Sequence, residues 1–285
     1  MRPHHVDHEL CDLCALCENI CGRAIYTESE GRMNYAPGEK CIDCGQCIAI
    51  CPRDALVHED GTVPPLTDRD ALPAADDVLH FFRARRSTRR FKKDVPPREL
   101  LEKLIDAVRY APTGTNRQAV KLSIVTDQDL IDRLRTAIMA RYGAYERHLA
   151  NPLKRFFLSL FVDRRLGSPG LRAFLRSFMD GWRGGRDVLF HEAPVAVFVS
   201  TGPEASTPKD DCCIALHQMT LYAERLGLGS CLLGTVEAAF GKTRALNDLI
   251  GLPRERTVLA AACFGFPAVR FRRLTERKPI EVRWI

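Results

Sequence analysis

The chain has 285 residues, of which 46% are hydrophobic and 27% are charged, and its net charge at pH 7 is +6. This length accommodates one large domain and one small domain, and the composition supports a sizeable hydrophobic core. No uninterrupted apolar run is long enough to span a bilayer, which excludes a membrane-spanning segment.

The first residues, MRPHHVDHEL, contain no apolar segment of the kind found in secretory signals. His4, His5 and His8 precede any hydrophobic pattern, and we expect them to form a disordered tail. The cysteine-rich sequence that follows needs reduced thiols, which suits a reducing compartment. The sequence therefore predicts a cytoplasmic protein.

Two cysteine runs dominate the first part of the chain. CDLCALCENICG begins at Cys11 and CIDCGQCIAICP begins at Cys41, and both have the spacing C-x-x-C-x-x-C-x-x-x-C. Such a run wraps one iron–sulfur cluster, and its fourth cysteine reaches the other cluster. Zinc sites pair two ligands with two others, and disulfides are unexpected without a secretory signal. The predicted metal ligands of two [4Fe–4S] clusters are Cys11, Cys14, Cys17 and Cys51 for one, and Cys41, Cys44, Cys47 and Cys21 for the other.

On these residues, segment 8–58 resembles the bacterial-type two-cluster ferredoxins. Pro52 follows the last cysteine of the second run, as in the bacterial pattern, whereas Gly22 stands at that position in the first run. The resemblance implies that this segment carries electrons. The stretch after it is rich in proline and aspartate, which indicates a linker. The predicted organisation is a ferredoxin-like domain at 1–58, a linker at 59–75 and a second domain at 76–285.

The second domain combines helical and strand patterns. Helices are predicted in DVLHFFRARRSTR, PPRELLEKLIDAVRYAP and DDCCIALHQMTLYAERLGLG, and buried strands in VKLSIVT (120–126), PVAVFVS (194–200) and LAAACFGFP. Apolar residues form one seam on the last helix, namely Cys212, Leu216, Met219, Ala223 and Leu226, which suits packing against another helix. The four cysteines outside the runs, Cys212, Cys213, Cys231 and Cys263, are expected to be buried thiols.

Residues 151–182 form a helical insertion in this domain. Leu153, Phe156, Phe157, Leu160 and Phe161 make one apolar stripe, and Leu171, Phe174, Leu175, Phe178 and Trp182 make a second. The pattern predicts two short amphipathic helices joined by a Gly-Pro turn. An apolar stripe usually packs on its own domain, where it would roof a pocket. A membrane surface and a partner interface are the alternatives.

Basic residues are concentrated in RARRSTRRFKK (83–93), where seven of eleven residues are basic. A solvated face, a nucleic-acid patch and a site for a cofactor phosphate are the three interpretations. Within it, RRSTRRF (85–91) places two arginines beside a hydroxyl, which suits a phosphate. In APTGTNRQ (111–118), a glycine-containing turn ends in Asn116. The amide of this residue can both donate and accept a hydrogen bond, which suits the edge of a flavin or pyrimidine ring. The sequence lacks the alternation of aromatic and basic residues that is typical of grooves for single-stranded nucleic acid, so nucleic-acid binding is not expected.

With GLGSCLLG (227–234) and TERKPIEVRWI (275–285), these segments resemble the nitroreductase family of flavoproteins over most of residues 76–285. The resemblance implies an α+β fold, in which a central antiparallel-type sheet is flanked by helices. It also implies a homodimer with FMN bound at the subunit interface. The helix 209–227 would be the dimer helix, and the C-terminal tail would embrace the other subunit.

The resemblance implies a set of FMN-binding residues. Arg85, Arg86 and Ser87 would hold the phosphate and ribityl chain, and Asn116 would face the pyrimidine of the flavin. The backbone of Leu232, Leu233 and Gly234 would pass the flavin ring, with the N–H of Gly234 or Thr235 at N5. Arg277 would be a second phosphate ligand, and Lys278 is a weaker candidate. Arg89 and Arg90 are expected at the surface.

Other polar residues have ordinary structural interpretations. His191 and His217 lie next to apolar segments and are expected to be satisfied core or surface residues. Asp210 and Asp211 are expected to cap their helix. The chain shows no Ser-His-Asp order and no defensible pair of catalytic carboxylates, so the catalytic residues stay unknown and the chemistry is assigned to FMN.

The predicted function is that of a flavin-dependent oxidoreductase. Electrons would pass from the two [4Fe–4S] clusters to FMN and on to an electron-poor small molecule, such as a nitroaromatic, a quinone or an activated alkene. Reduced ferredoxin and NAD(P)H are the expected donors. The alternatives are an electron-transfer module that relays electrons to a protein partner, and a redox sensor.

Overall fold

The computed structural model describes residues 4–60, 64–153, 156, 160, 168–241 and 244–285. The chain divides into two compact units. The first comprises Met1–Ala74 and Thr115–Arg117, and the second comprises Ala75–Gly114 and Gln118–Ile285. Among the described residues, no helix combines the length and the apolar character needed to cross a membrane.

The first unit consists of short elements around a small core. Its elements are β1 (His4–Val6), α1 (Leu16–Ile20), β2 (Tyr26–Ser29), β3 (Arg32–Tyr35), α2 (Gln46–Ile50) and β4 (Leu56–His58). β1 pairs with β4 and β2 pairs with β3, both antiparallel. The core residues are Ile25, Tyr26, Met33, Cys47 and Leu56.

The two cysteine runs adopt the same backbone conformation. Positive φ angles recur in three pairs of residues that are thirty positions apart: Leu13 and Asp43, Ala15 and Gly45, and Ala24 and Asp54. Left-handed backbone is costly for side chains other than Gly, Asn and Asp, so its recurrence is not a chance feature. The sequence repeat is therefore also a structural repeat, in which each cysteine run folds into the same loop conformation.

The prediction of a disordered histidine tail is wrong for His4 and His5. Both belong to β1, where His4 pairs with His58 and His5 pairs with Val57. The His4 side chain is buried, and its Nε2 lies 2.8 Å from the Tyr26 hydroxyl. Pairing with a strand fifty residues away supplies the order, and no local pattern signals it. His8 is exposed in the turn that follows.

The second unit contains the larger core. Its elements are α3 (Ala75–Ala84), α4 (Arg98–Val108), β5 (Lys121–Val125), α5 (Gln128–Ala150), α6 (Pro169–Arg183), β6 (Val195–Thr201), α7 (Pro208–Arg225), β7 (Gly229–Leu232), α8 (Gly234–Phe240), α9 (Arg244–Leu249) and β8 (Thr257–Gly265). The strands form an antiparallel sheet in the order β5-β6-β8-β7. The sheet confirms the predicted α+β fold class with a central antiparallel sheet.

Successive residues of β6 enter two different cores, because side chains alternate across a strand. Val195, Val197 and Val199 join the core that contains Leu104 of α4 and Met219 of α7. Ala196 and Phe198 join the core that α5, α6 and α8 cover on the other face. Every residue of β6 is buried. The sheet is thus covered on both faces, and its strand ends and connecting loops are left to build a site.

The apolar seam predicted on α7 is confirmed, but one of the four predicted buried thiols is not. Cys212, Leu216 and Met219 are buried in the core, whereas Cys213 is exposed. One residue along a helix turns the side chain by about 100°, which moves Cys213 off the seam. Cys231 and Cys263 are buried and are partners in the pairing of β7 with β8.

The structure describes the second half of the predicted helical insertion. α6 carries Leu175, Phe178 and Met179 into the core beside α5, so this stripe packs on its own unit. The Ser168 hydroxyl caps α6 by accepting the Leu171 N–H at 3.2 Å. Of the first predicted stripe, Phe157 and Phe161 lie outside the described residues, and Leu153, Phe156 and Leu160 are exposed.

Replacing Leu104 with alanine tests the packing of α4 on the sheet. Leu104 is completely buried, so Leu104→Ala leaves a cavity and is expected to lower the free energy of unfolding by about 2–5 kcal/mol. Ile105, on the same helix, is 38% exposed, and Ile105→Ala is the matched control with a loss below about 1 kcal/mol. Urea denaturation followed by circular dichroism measures both. Equal losses in the two variants would contradict the described packing.

Candidate functional site

Two cavities in the first unit are lined by cysteine thiols. One is lined by Cys11, Cys14, Cys17 and Cys51, together with apolar residues that include Val6, Met33 and Leu56. The other is lined by Cys21, Cys41, Cys44 and Cys47, with Ile25 and Ile42 among its neighbours. In each cavity three thiols come from one run and the fourth comes from the other run. The two sets are those predicted as cluster ligands.

This donor set fits iron–sulfur clusters. A cubane spreads four thiolates around four iron atoms, whereas a zinc ion draws its ligands to one point. Nowhere in the described parts of the chain do three or more His, Cys, Asp or Glu side chains come together as a site for a single metal ion. Two of the thiol sulfur atoms also accept backbone hydrogen bonds. The Ala55 N–H donates to Cys51 Sγ with an N···S distance of 3.3 Å, and the Asp43 N–H donates to Cys41 Sγ with an N···S distance of 3.4 Å. Burial raises the pKa of the Cys17 and Cys47 thiols, and bonds to the iron of a cluster would offset this cost by holding them as thiolates.

In the second unit, the segment after α3 lies along strand β7. The Thr88 N–H donates to the Ser230 carbonyl at 2.8 Å, and Ser87 forms an isolated parallel bridge with Ser230. A Cβ at Gly229 would lie 2.6 Å from Thr88 Oγ1, so a glycine is needed where these segments touch. The predicted phosphate segment Arg85–Ser87 and the segment GLGSCLLG are thus brought side by side.

Arg86 is the buried charge of this region. Its Nη1 donates to the carbonyls of Arg83 at 2.7 Å and Arg85 at 2.8 Å, while Nε and Nη2 are buried without a hydrogen-bond partner. Burial raises the pKa of the nearby Glu224 carboxyl, against the opposing effect of Arg85 and Arg86. A buried guanidinium with two unsatisfied donors is costly by itself and fits an anionic group such as a phosphate.

The residues after β7 turn towards open space. Leu232 ends the strand and is 53% exposed, whereas Leu233 is buried and its N–H donates to the Ala261 carbonyl at 2.8 Å. Gly234 begins α8, and a Cβ there would meet no atom within 4 Å. The main-chain N–H groups of the first turn of a helix have no partner within the helix. This stretch therefore offers donors beside free space, as the predicted flavin ring requires.

The turn that contains the TGTN sequence is held from α7. Asp211 Oδ1 accepts the Gly114 N–H at 2.9 Å and the Thr207 hydroxyl at 2.7 Å, and Oδ2 is buried without a hydrogen-bond partner. The interpretation of Asp211 as a helix cap is therefore wrong, because α7 already begins at Pro208 and the carboxylate points to a distant turn. Asp210 is exposed.

A second buried charge holds the far side of the same turn. Arg256 is 6% exposed, and its Nη2 donates to the Ala119 carbonyl at 2.7 Å and to the Ser200 carbonyl at 3.0 Å. Its Nη1 forms an ion pair with Glu204 at 3.1 Å. No sequence pattern pointed to Arg256, since nothing around it in the sequence distinguishes it from an exposed arginine.

Asn116 has its own polar contacts in the first unit, to which Thr115–Arg117 belong. Its amide donates to the Asp43 carbonyl at 2.7 Å and to the Ile42 carbonyl at 3.0 Å. Thr115 and Asn116 both have positive φ angles, so the turn is tight. The role predicted for Asn116 towards a flavin pyrimidine stays a prediction.

The C-terminal tail is not packed on the second unit. Arg277 and Lys278 are exposed, as are Ile280 and Trp284, which retain 87% and 92% of their accessible surface. Arg89 and Arg90 are also exposed, as expected. His217 is exposed and His191 is half-buried, where burial lowers its pKa.

Comparison with known proteins gives two family matches. Residues 82–266 match the Nitroreductase family, and residues 4–52 match the 4Fe-4S dicluster domain. A protein of Thermus thermophilus named NADH dehydrogenase is 28% identical over 200 residues, which cover 69% of this chain and 89% of that protein. A 7Fe ferredoxin of Hydrogenibacillus schlegelii is 41% identical over 46 residues, which cover 16% of this chain and 58% of the ferredoxin.

A solved structure has the same fold. The nitroreductase of Desulfitobacterium hafniense, determined with bound FMN, is 24% identical and superposes with a TM-score of 0.53, covering 74% of this chain and all of that one. These findings confirm both resemblances stated from the sequence. The chain belongs to the nitroreductase family, and its family domain follows an N-terminal 4Fe-4S dicluster domain.

Proposed function

We propose that this protein is an FMN-dependent oxidoreductase that passes electrons from two [4Fe–4S] clusters to FMN and on to an electron-poor small molecule. The observation that carries the proposal is the crossed set of four thiols around each of two cavities, in a chain whose larger unit belongs to the nitroreductase family. Nitroaromatics, quinones and activated alkenes are the substrate classes that suit such chemistry.

The second unit supplies the residues that would hold FMN. Arg85, Arg86 and Ser87 would bind the phosphate and ribityl chain, since the Arg86 guanidinium has buried donors without partners. Asp211 and Arg256 would hold the turn at Gly114 and Ala119 in place through buried hydrogen bonds. When bound, FMN supplies chemistry that accepts electrons one or two at a time.

The segment Leu232–Gly234 would lie along the flavin ring. Its exposed Leu232 would cover the ring and exclude water, and the N–H of Gly234 or Thr235 would donate to the ring nitrogen. Tyr142 fixes this region, because its hydroxyl donates to the Thr235 carbonyl at 2.7 Å. The chain's own contribution is thus binding, orientation and a hydrogen bond.

A homodimer and an external electron donor complete the proposal. The C-terminal tail exposes Ile280, Trp284 and Ile285, an apolar segment that a second subunit would cover, and Arg277 would then reach the phosphate of FMN. Relatives named NADH dehydrogenase and FMN reductase [NAD(P)H] support NAD(P)H as a donor. The cluster unit supports reduced ferredoxin as the other donor.

Anaerobic stopped-flow absorbance tests the direction of electron flow. Reduced ferredoxin is mixed with the reconstituted protein, and the bleaching of clusters and flavin is followed at separate wavelengths. We expect the clusters to be reduced first and the flavin second, followed by reoxidation on addition of a quinone. If NADPH reduces the flavin first and the clusters follow, the clusters are an outlet to a protein partner, and the proposed direction is wrong.

Replacing Arg86 tests the phosphate site. Arg86→Gln removes the buried charge, and we expect FMN to bind about 10- to 100-fold more weakly, since a hydrogen bond to a charged group contributes about 1.5–3 kcal/mol. Fluorescence quenching of FMN on titration into the apoprotein measures the dissociation constant. Arg90→Gln, at an exposed position of the same segment, is the control and leaves it unchanged. Unchanged affinity in Arg86→Gln, with the fold intact by circular dichroism, would place the phosphate elsewhere.

Double variants test the crossed ligation of the clusters. Cys11 and Cys51 line the same cavity, so the variant with both changed to serine loses one cluster and retains about half of the bound iron and sulfide. Cys11 and Cys41 line different cavities, so changing this pair removes nearly all of it. Iron and acid-labile sulfide assays measure both, with Cys213→Ser as the control at an exposed thiol. Nearly complete loss of iron and sulfide in both variants would contradict crossed ligation, since Cys11 and Cys51 would then bind different clusters.

A further inference from the structure

The two cluster cavities differ in their polar surroundings, although the backbone around them repeats. The offset of thirty residues between the cysteine runs places Tyr26 in the position of Leu56, and Tyr35 in the position of His5. Leu56 is aliphatic and lines the first cavity, and His5 is exposed. Tyr26 and Tyr35 therefore carry phenolic hydroxyls, whereas the residues at the equivalent positions of the repeat, Leu56 and His5, do not.

The hydroxyl of Tyr35 is directed at a predicted cluster ligand. It donates to Cys41 Sγ at 3.7 Å, a distance within the range of hydrogen bonds to sulfur. The ring of Tyr35 is fixed in this position, because its centroid lies 4.0 Å from that of His4 and 5.1 Å from that of Tyr26. The donor is thus held by packing and not by the cluster alone.

A second polar pair lies beside another ligand of the same cavity. His4 Nε2 is 3.7 Å from Cys47 Sγ and 2.8 Å from the Tyr26 hydroxyl. Tyr26 is 2% exposed and His4 is 7% exposed, so water does not compete for these groups. Two of the four thiols of the second cavity therefore have a side-chain donor group within reach, which is half-buried at Cys41 and buried at Cys47.

The first cavity has a different set of donors. Cys51 Sγ accepts the Ala55 N–H at 3.3 Å. Within residues 4–60, all of which are described, the thiols of Cys11, Cys14, Cys17 and Cys51 receive no hydrogen bond from a side chain. Since the second cavity has a comparable backbone donor in the Asp43 N–H, the side-chain donors are what distinguishes the two centres.

We propose that Tyr35 and the pair of His4 and Tyr26 give the cluster held by Cys21, Cys41, Cys44 and Cys47 a higher reduction potential than the other cluster. Each added electron increases the negative charge on the sulfur atoms, and a donor to sulfur stabilises that charge more in the reduced state. The inference rests on the two clusters of the proposed function and adds the order in which they are reduced. The first electron resides on the cluster beside Tyr35.

The test is a redox titration of the reconstituted full-length protein, followed by electron paramagnetic resonance at low temperature. The parent protein is expected to show two separate transitions. Tyr35→Phe removes only the hydroxyl, and we expect the higher transition to move down while the lower one stays. The expected size is about a tenfold change in the equilibrium for electron exchange between the clusters, or about 59 mV for one electron.

The control is Tyr110→Phe, which removes a hydroxyl from a residue of the second unit that is 79% exposed and leaves both transitions in place. Tyr26→Phe is the second variant, and it lowers the same transition if Tyr35→Phe fails to assemble its clusters. Unmoved transitions in both variants, or a shift of the lower one, would overturn the proposal. Because the potentials are read without turnover, this outcome is independent of whether the clusters reduce FMN.

Discussion

The position of β8 between β6 and β7 determines where the segments proposed to bind FMN lie in the second unit. β8 is the strand through which β7 joins the sheet, and its Ala261 carbonyl accepts the Leu233 N–H just where the chain leaves the sheet. β7 in turn carries the segment of Ser87 and Thr88 along its other edge. Backbone hydrogen bonds of this kind allow little variation in register, since a shift by one residue would turn every side chain to the opposite face.

Two buried charges extend this arrangement to the turn at residues 113–118. Asp211 and Arg256 are almost completely buried, and each uses hydrogen bonds to the backbone to hold the segment that connects α4 to β5. Breaking such contacts leaves an uncompensated buried charge, which is much more costly than losing an exposed ion pair. Gly114 and Ala119 are therefore held by residues that lie 97 and 137 positions later in the chain.

The first unit follows a different principle. Its core is small, and the four thiols around each cavity come from both runs, so binding of a cluster would connect the two halves of the repeat. Small domains that bury little apolar surface commonly depend on such covalent or metal links for stability. The two centres differ in spite of the repeated backbone because Tyr35 and His4 lie within reach of thiols of the second cavity.

The elements that the sequence predicted well are those with a local cause. The cysteine spacing, the helix around Leu104 and the β-branched strand β6 each depend on residues within one or two turns of the chain, and each was predicted from its own pattern. The sequence also contained the information to place Cys213 at the surface. Cys212 and Leu216 define the apolar face of the helix, and Cys213 does not lie on that face. The resemblance to the nitroreductase family rests on four short segments, each of which is recognised from its own local sequence.

What the sequence by itself determined about this protein is its class: a two-cluster ferredoxin segment joined to a nitroreductase-family domain. Only the tertiary structure decided how distant residues meet. The strand formed by His4 and His5, the contact of Asp211 with Gly114 and the hydroxyl of Tyr35 at Cys41 depend on pairings or packing that the local pattern does not record. The physical reason is that a polar side chain has the same local sequence signature whether water or a buried partner satisfies it, and folding alone makes that choice.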